Sequence, residues 1–401
     1  MKRIKQIKKY QIILCVFFVV FGVFVFWLNT EHLPSYSLYN TGSLRYEKAE
    51  VLNIVDSYLE EDKNTTSGYK GTQELEVEVK TGKLRGEVVN VENYLSRTHN
   101  ILVEKGTSII ICLDETSSES HISVYNYSRS NIVYLMVALF VIIMIAVGGF
   151  KGFKSALGLG FSFLCIVFFT LPLIFYGYSP ILVAIISVIL ISAVTLVLLD
   201  GASKKVFVAL CSTAIGVIAA GLLFNLFSVA LKVSGFNLED AESLHVISQN
   251  TGLEVKHILF AGVLIAAVGA VLDVAMSISS TLNELHEHNP DLSSKELFKS
   301  GINVGKDMIG TMSNTLILAY AGSSFSMMIL FMAYSVSYHQ IINMDYLVLE
   351  ISQALAGSMG IVLTVPFAAF IGSKILKNER FNFHKPKKKI IAKEETVERK
   401  F

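Results

Sequence analysis

Asp273 stands in the stretch ILFAGVLIAAVGAVLDVAMSISS, a segment otherwise suited to hydrocarbon. Spacing by three and four puts Gly262, Ala266, Gly269, Asp273, Ser277 and Ser280 on one helix face, small and polar. The other face is mostly Leu, Ile and Val. A charged side chain costs ~2.5–3.5 kcal/mol at the centre of a span on insertion scales, so such groups usually face protein or water. Asp273 falls nearer the end of its apolar run, where the cost is lower. Two chemistries fit it. One is a titrating carboxylate that carries a proton or coordinates a cation. The other is a carboxylate that hydrogen-bonds a neighbouring helix, which the small residues Gly262 and Gly269 would let approach closely.

Candidate partners lie in later apolar runs. The run beginning GTMSNTLILAYAGSS offers Thr311, Asn314 and Thr315 in one polar turn, then Tyr320, Gly322, Ser323 and Ser324. Farther on, Glu350, Gln353, Gly357, Gly360 and Thr364 share a face, with Pro366 beyond. Gly216, Gly221 and Asn225 mark an earlier run. Several stripes of this kind are what a bundle around a hydrated pathway requires, and an inert, tightly packed bundle would also use small residues.

The elements that must position these residues are membrane helices. The 401 residues are 52% hydrophobic and 17% charged, against roughly 25% charge in soluble domains. The apolar residues cluster in runs near the ~18–20 residues that cross a hydrocarbon core. Eight are expected: 12–28, 132–150, 157–176, 181–199, 206–231, 258–277, 311–334 and 347–376. Basic residues in MKRIKQIKK, KGFK, DGASKK, the 278–310 loop and KPKKK alternate with exterior loops poor in Lys and Arg, so both termini are expected in the cytoplasm. The first run is longer than a signal-peptide core and no A-x-A-like site follows, so an uncleaved anchor is expected. Ser293-x-x-Glu296 is a capping-box pattern that opens an expected amphipathic helix on the inner membrane face, near 292–305.

Between the first two runs the period changes to two. AEVLNIV, ELEVEV, GEVVNVEN and TSIIICL alternate or are β-branched, with TGK and EKGT as turns. Residues 30–130 therefore read as a small extracytoplasmic β domain of five or six strands, a barrel or sandwich, with an OB-like barrel among the options. The expected organisation is a basic segment and first helix over 1–29, the β domain, a seven-helix bundle over 131–376 and a basic tail over 377–401. The fold class is thus an α-helical polytopic membrane protein of about eight transmembrane helices with a small β domain.

Other chemistries find little support. His286 and His288 lie near Glu284 and Glu287, but positions two apart on a helix diverge, so no metal site is expected. The four cysteines form no C-x-x-C motif and no exterior pair. No nucleophile–base pair and no H-E-x-x-H motif occurs. An enzyme, a cofactor and a nucleic-acid partner are therefore not expected.

GAVLDVAMSISSTLNEL, then NP, then SGINVGKDMIGTMSNTLILAYAGSS resembles the signature of the YibE/F-like bacterial membrane proteins. TGKLRGEVVNVEN is similar to the same family's upstream segment, and the resemblance runs from about residue 75 to 375. It implies a multi-pass protein of the bacterial plasma membrane, typical of Gram-positive bacteria, and carries no particular activity with it. Gly269-x-x-x-Asp273, an amphipathic segment and a Thr/Asn-rich re-entering helix also look like the proton-relay core of the resistance–nodulation–division superfamily, which includes the SecD/SecF helpers. Two extra spans and a small exterior domain depart from that pattern. The combined expectation is a transporter coupled to a proton or small cation. Asp273 would be the relay, with Ser277, Thr311, Asn314, Thr315, Tyr320, Glu350 and Gln353 in support and Gly262, Gly269, Gly322, Gly357 and Gly360 packing helices. The rival expectation is a non-transporting envelope or secretion-assisting factor whose β domain binds a protein partner.

Overall fold

The computed structural model describes residues 2–31, 44–114, 121–233, 236 and 241–377. The basic tail beyond 377 and the acidic residues Glu239 and Asp240 lie outside the described residues. The chain divides into two units, Pro34–Val147 and a second comprising Met1–Leu33 with Gly148–Phe401.

After helix α1 (Lys2–Glu31) come five strands: β1 (Leu44–Glu61), β2 (Tyr69–Val79), β3 (Val88–Leu95), β4 (Ser108–Asp114) and β5 (His121–Tyr127). They close into a barrel in the order β1-β2-β3-β5-β4. Every pairing is antiparallel except β3 with β5. This is the OB-like option among the folds expected. Alternation does the sorting: Leu75, Val77 and Val79 are fully buried while Glu74, Glu76 and Glu78 point outward. The 18-residue β1 serves both neighbours. Its first part pairs with β4 and the rest with β2, and register shifts at Val51/Asn53 and Ile54/Asp56 bend it around the barrel. Closure leaves no free edge.

Two buried amides tie the irregular β3–β4 connection to the barrel interior. Asn93 Nδ2 donates to Gln73 Oε1 (3.0 Å) and to the Ile101 carbonyl (2.7 Å), and Gln73 Nε2 donates to the Val103 carbonyl (3.2 Å). The connection forms no strand, so these bonds satisfy carbonyls that would otherwise be stranded inside.

The helical elements follow: α2 (Ser130–Cys165), a π-helical turn (Ile166–Thr170), α3 (Leu171–Phe175), α4 (Pro180–Asp200), α5 (Lys204–Ala230), α6 (Ala241–Thr251), α7 (Val255–His288), α8 (Ser294–Ser323), α9 (Phe325–Ala333), α10 (Tyr338–Ile341) and α11 (Asp345–Ile375). Among the described residues five helices are long and apolar enough to cross a membrane, or six if α8 and α9, bent by 57°, form one span. The difference from eight has local causes. The expected spans 132–150 and 157–176 belong to one continuous apolar stretch, Ser130–Phe175, broken by the non-helical Gly149 (φ 56°, ψ −136°). The unit boundary falls beside this break, so the first half of α2 groups with the barrel. The described apolar part of α1, Val16–Thr30, is short of a full span. Its Phe17, Phe18 and Phe21 nonetheless pack on Phe161, and Asn29 Nδ2 donates to the Phe168 carbonyl in the π turn (2.9 Å).

Helices α4, α5, α7, α8 and α11 share one core, which includes Val188, Val217, Leu264, Val271, Ile278, Leu297, Ile361 and Val365. The amphipathic helix expected near 292–305 is no separate element. It is the first part of α8, opened by the Ser293–Glu296 capping box and continuous to Ser323. Its buried side, Leu297, Gly301 and Gly305, packs on α7 and α11, whereas Lys295, Lys299 and Lys306 stay exposed.

Candidate functional site

Helix α7 runs 34 residues without interruption, about 51 Å at 1.5 Å per residue, so Asp273 lies near its middle. Along α7, Leu264, Ala267, Val271, Val274, Ala275, Ile278 and Leu282 are buried within 1% of completely. The opposite face holds Gly262, Ala266, Gly269 and Asp273, all exposed, with Ser277 and Ser280 half-buried. The small polar stripe is real, but it points away from the packed helices. This corrects the expectation that it faces them. A side chain built at Gly262 or Gly269 would meet no atom within 4 Å. The reason is volume: the bulkier Leu, Val and Ile residues on the other side fill the core, and only one face of α7 can do so.

Asp273 makes no side-chain hydrogen bond and no ion pair among the described residues. Its surroundings follow from two contact levels. Leu282 meets the Gly301 position on α8, and Leu316 of α8 meets Gly357 beside Ala267. Both helices advance fifteen residues between these levels (267 to 282, 301 to 316), so Asp273 is level with Gly310 and Thr311. Met308 and Met312 on α8 pack against the cluster holding Val271 and Val274, which brackets Asp273 on α7. The structure thus brings Asp273 and Thr311 to one height on adjacent antiparallel helices, with no bond between them.

The hydroxyls nearby are engaged with their own helices. Thr311 Oγ1 donates to the Met308 carbonyl (3.1 Å), Thr315 Oγ1 to the Thr311 carbonyl (2.8 Å), and Thr281 Oγ1 to the Ser277 carbonyl (2.9 Å). Asn314 is exposed and its amide has no hydrogen-bond partner among the described residues.

A second polar group forms where α8 meets α11. Tyr320 lies within electrostatic range of Glu350. One carboxylate oxygen of Glu350, Oε2, is shut off from solvent without a hydrogen-bond partner. Tyr346 donates to Ser324 Oγ (3.3 Å) at the bend between α8 and α9. Sequence reasoning missed Tyr346, whose isolated position before an apolar run gives no periodic signal. Gln353 is half-buried one turn from Glu350. Gly357 contacts Leu316, Gly360 contacts Ala220, and Gly322 has open space around it. Among the described residues no group of three or more His, Cys, Asp or Glu is placed to hold a metal ion.

Apolar helices of this length with a carboxylate on one of them define a membrane-embedded helical protein that carries a small β barrel. The family described as YibE/F-like protein matches residues 136–378, more than half of the chain, and the chain belongs to that family. The matched region takes in Asp273, Thr311, Asn314 and Glu350, and the barrel lies outside it. No curated protein and no solved structure matches the chain.

Proposed function

We propose that the protein is a multi-pass transporter of the bacterial plasma membrane, coupled to the movement of a proton or small cation at Asp273. The observation that carries this reading is an ionisable side chain within the apolar part of the 34-residue helix α7, toward the end of that part, with no hydrogen-bond or ion-pair partner among the described residues. Retaining such a group costs free energy in a membrane, and its usual return is a role in ion or proton movement. Because the stripe is on the outer face of α7, the pathway runs along the α7–α8 surface rather than inside the packed core. Thr311, Asn314 and Ser277 stand beside it as hydrogen-bonding groups, and Tyr320 and Glu350 form a second polar station. In this reading eight segments cross the membrane, both termini are cytoplasmic and the barrel is outside.

The test is complementation in cells lacking the protein. Asp273→Asn keeps shape and removes charge, so it should abolish function while Asp273→Glu retains part of it. Full function of Asp273→Asn would rule out the relay. A second reading rests on the barrel, a closed unit with its own core: a secretion-assisting or envelope factor that holds a protein partner. Loss of function on deletion of residues 35–125, with Asp273→Asn fully active, would favour it.

A further inference from the structure

The barrel carries a cleft of about 360 Å³ whose lining includes Thr66, Ser67, Thr98, His99, Asn126 and Arg129. It is gathered from the β1–β2 turn, the β3–β4 connection and the end of β5. No carboxylate lines it. Arg129 is exposed, lies over the Tyr127 ring (5.6 Å to the centroid) and forms no ion pair among the described residues. The next residue, Ser130, begins α2, whose first turn holds no acidic side chain. The Ser130 hydroxyl oxygen is buried without a hydrogen-bond partner. An unpaired guanidinium therefore stands among hydroxyl side chains at a polar cleft, one residue before the start of a long helix. Each of these favours negative charge with acceptor oxygens.

Depth supplies the second argument. The apolar run of α2 starts at Ile132, three residues or about 4.5 Å beyond Arg129. By length and composition this stretch is apolar enough to cross a membrane. Headgroups occupy roughly 5–7 Å on each side of the hydrocarbon core. Once this helix enters the bilayer, the cleft sits in the headgroup layer.

We propose that this cleft binds a phosphate group, with Arg129 as its charge partner, Thr66, Ser67 and Thr98 as hydroxyl donors, and an anionic lipid headgroup as the source its depth favours. The site is separate from Asp273, and its test does not depend on transport.

The experiment measures amide hydrogen exchange of the full-length protein in neutral detergent. The probes are dioctanoyl phosphatidylglycerol, inorganic phosphate and dioctanoylglycerol, which lacks the phosphate. Protection of peptides covering 64–70, 96–101 and 124–130 by phosphatidylglycerol and not by dioctanoylglycerol supports the proposal. Equal protection by inorganic phosphate at the same concentration also supports it and makes free phosphate the source. Arg129→Gln should weaken the protection midpoint about tenfold, the size of one lost charge-assisted hydrogen bond, and Arg129→Lys should restore most of it. Exchange in β2 and β4 reports whether the variants keep the barrel, and the comparison of probes on the unaltered protein stands without them. No protection by any probe, equal protection by dioctanoylglycerol, or an unchanged midpoint in a folded Arg129→Gln protein would overturn it.

Discussion

Asp273 and Asp62 show two ways a carboxylate is accommodated in one chain. Asp62, at the end of β1, has its side chain 8% exposed and is fully engaged. It accepts hydrogen bonds from the Asn64 backbone N–H (3.0 Å) and from Arg97 Nε (3.2 Å). The backbone bond first and the guanidinium second hold its carboxyl below the usual range. A group held low when folded contributes stability that is complete above its unfolded value, about 3.9, and is lost as pH falls through the lower folded value. Amide exchange at residues 64–69 should therefore be flat from neutral pH to about 4, once corrected for intrinsic rate, and rise below that. In Asp62→Ala it should already be fast at pH 7. A profile indifferent to both would show that the turn is held by something else. Asp273 has no such partners among the described residues, and the proposed relay rests on that contrast. Its type and its helix face were legible in the sequence, because both follow from periodicity. The direction of that face was not, since a stripe of small residues fits a helix contact and an open surface equally well. Only the filling of the core by Leu264, Val271 and Ile278 decides it.

Among the elements, the barrel strands were the easier reading. ELEVEV announces its buried side at every second residue. The closed strand order is carried by the bulges in β1 and by the parallel β3–β5 pair, neither of which has a local signature. The Gln73–Asn93 pair yields a prediction at this scale. Asn93→Ala strands the buried Ile101 carbonyl, at a cost of about 1–3 kcal/mol, and exchange at residues 99–104 should accelerate accordingly. Rates there identical to the unaltered protein would mean the connection is held independently. In α8, the charges of KELFKSGINVGKD suggested an element distinct from the apolar run. Lys295, Lys299 and Lys306 are all on the exposed side, so polarity changes along the helix while its hydrogen bonding continues. Gly305 is where α8 meets Val365 of α11, with no room for a side chain. Gly305→Leu should overpack that contact by roughly 1–3 kcal/mol and lower the thermal midpoint of the purified protein. An unchanged midpoint would show that α8 is free to move off α11.

At the scale of the whole molecule, one prediction concerns arrangement and one concerns purpose. In a chain whose Cys112 is replaced by Ser, Lys105→Cys in the barrel should react with a membrane-impermeant maleimide in intact cells. Lys295→Cys should react only after permeabilisation. The reverse pattern would invert the orientation, and labelling of both in intact cells would reject the crossing scheme. The proposed transport rests on Asp273. In liposomes holding the purified protein and a pH-sensitive dye, an imposed proton or sodium gradient should collapse faster than in empty vesicles. Asp273→Asn should return the rate to that of empty vesicles while leaving the amount of folded, inserted protein unchanged. Equal rates for the unaltered protein and Asp273→Asn would contradict the relay directly.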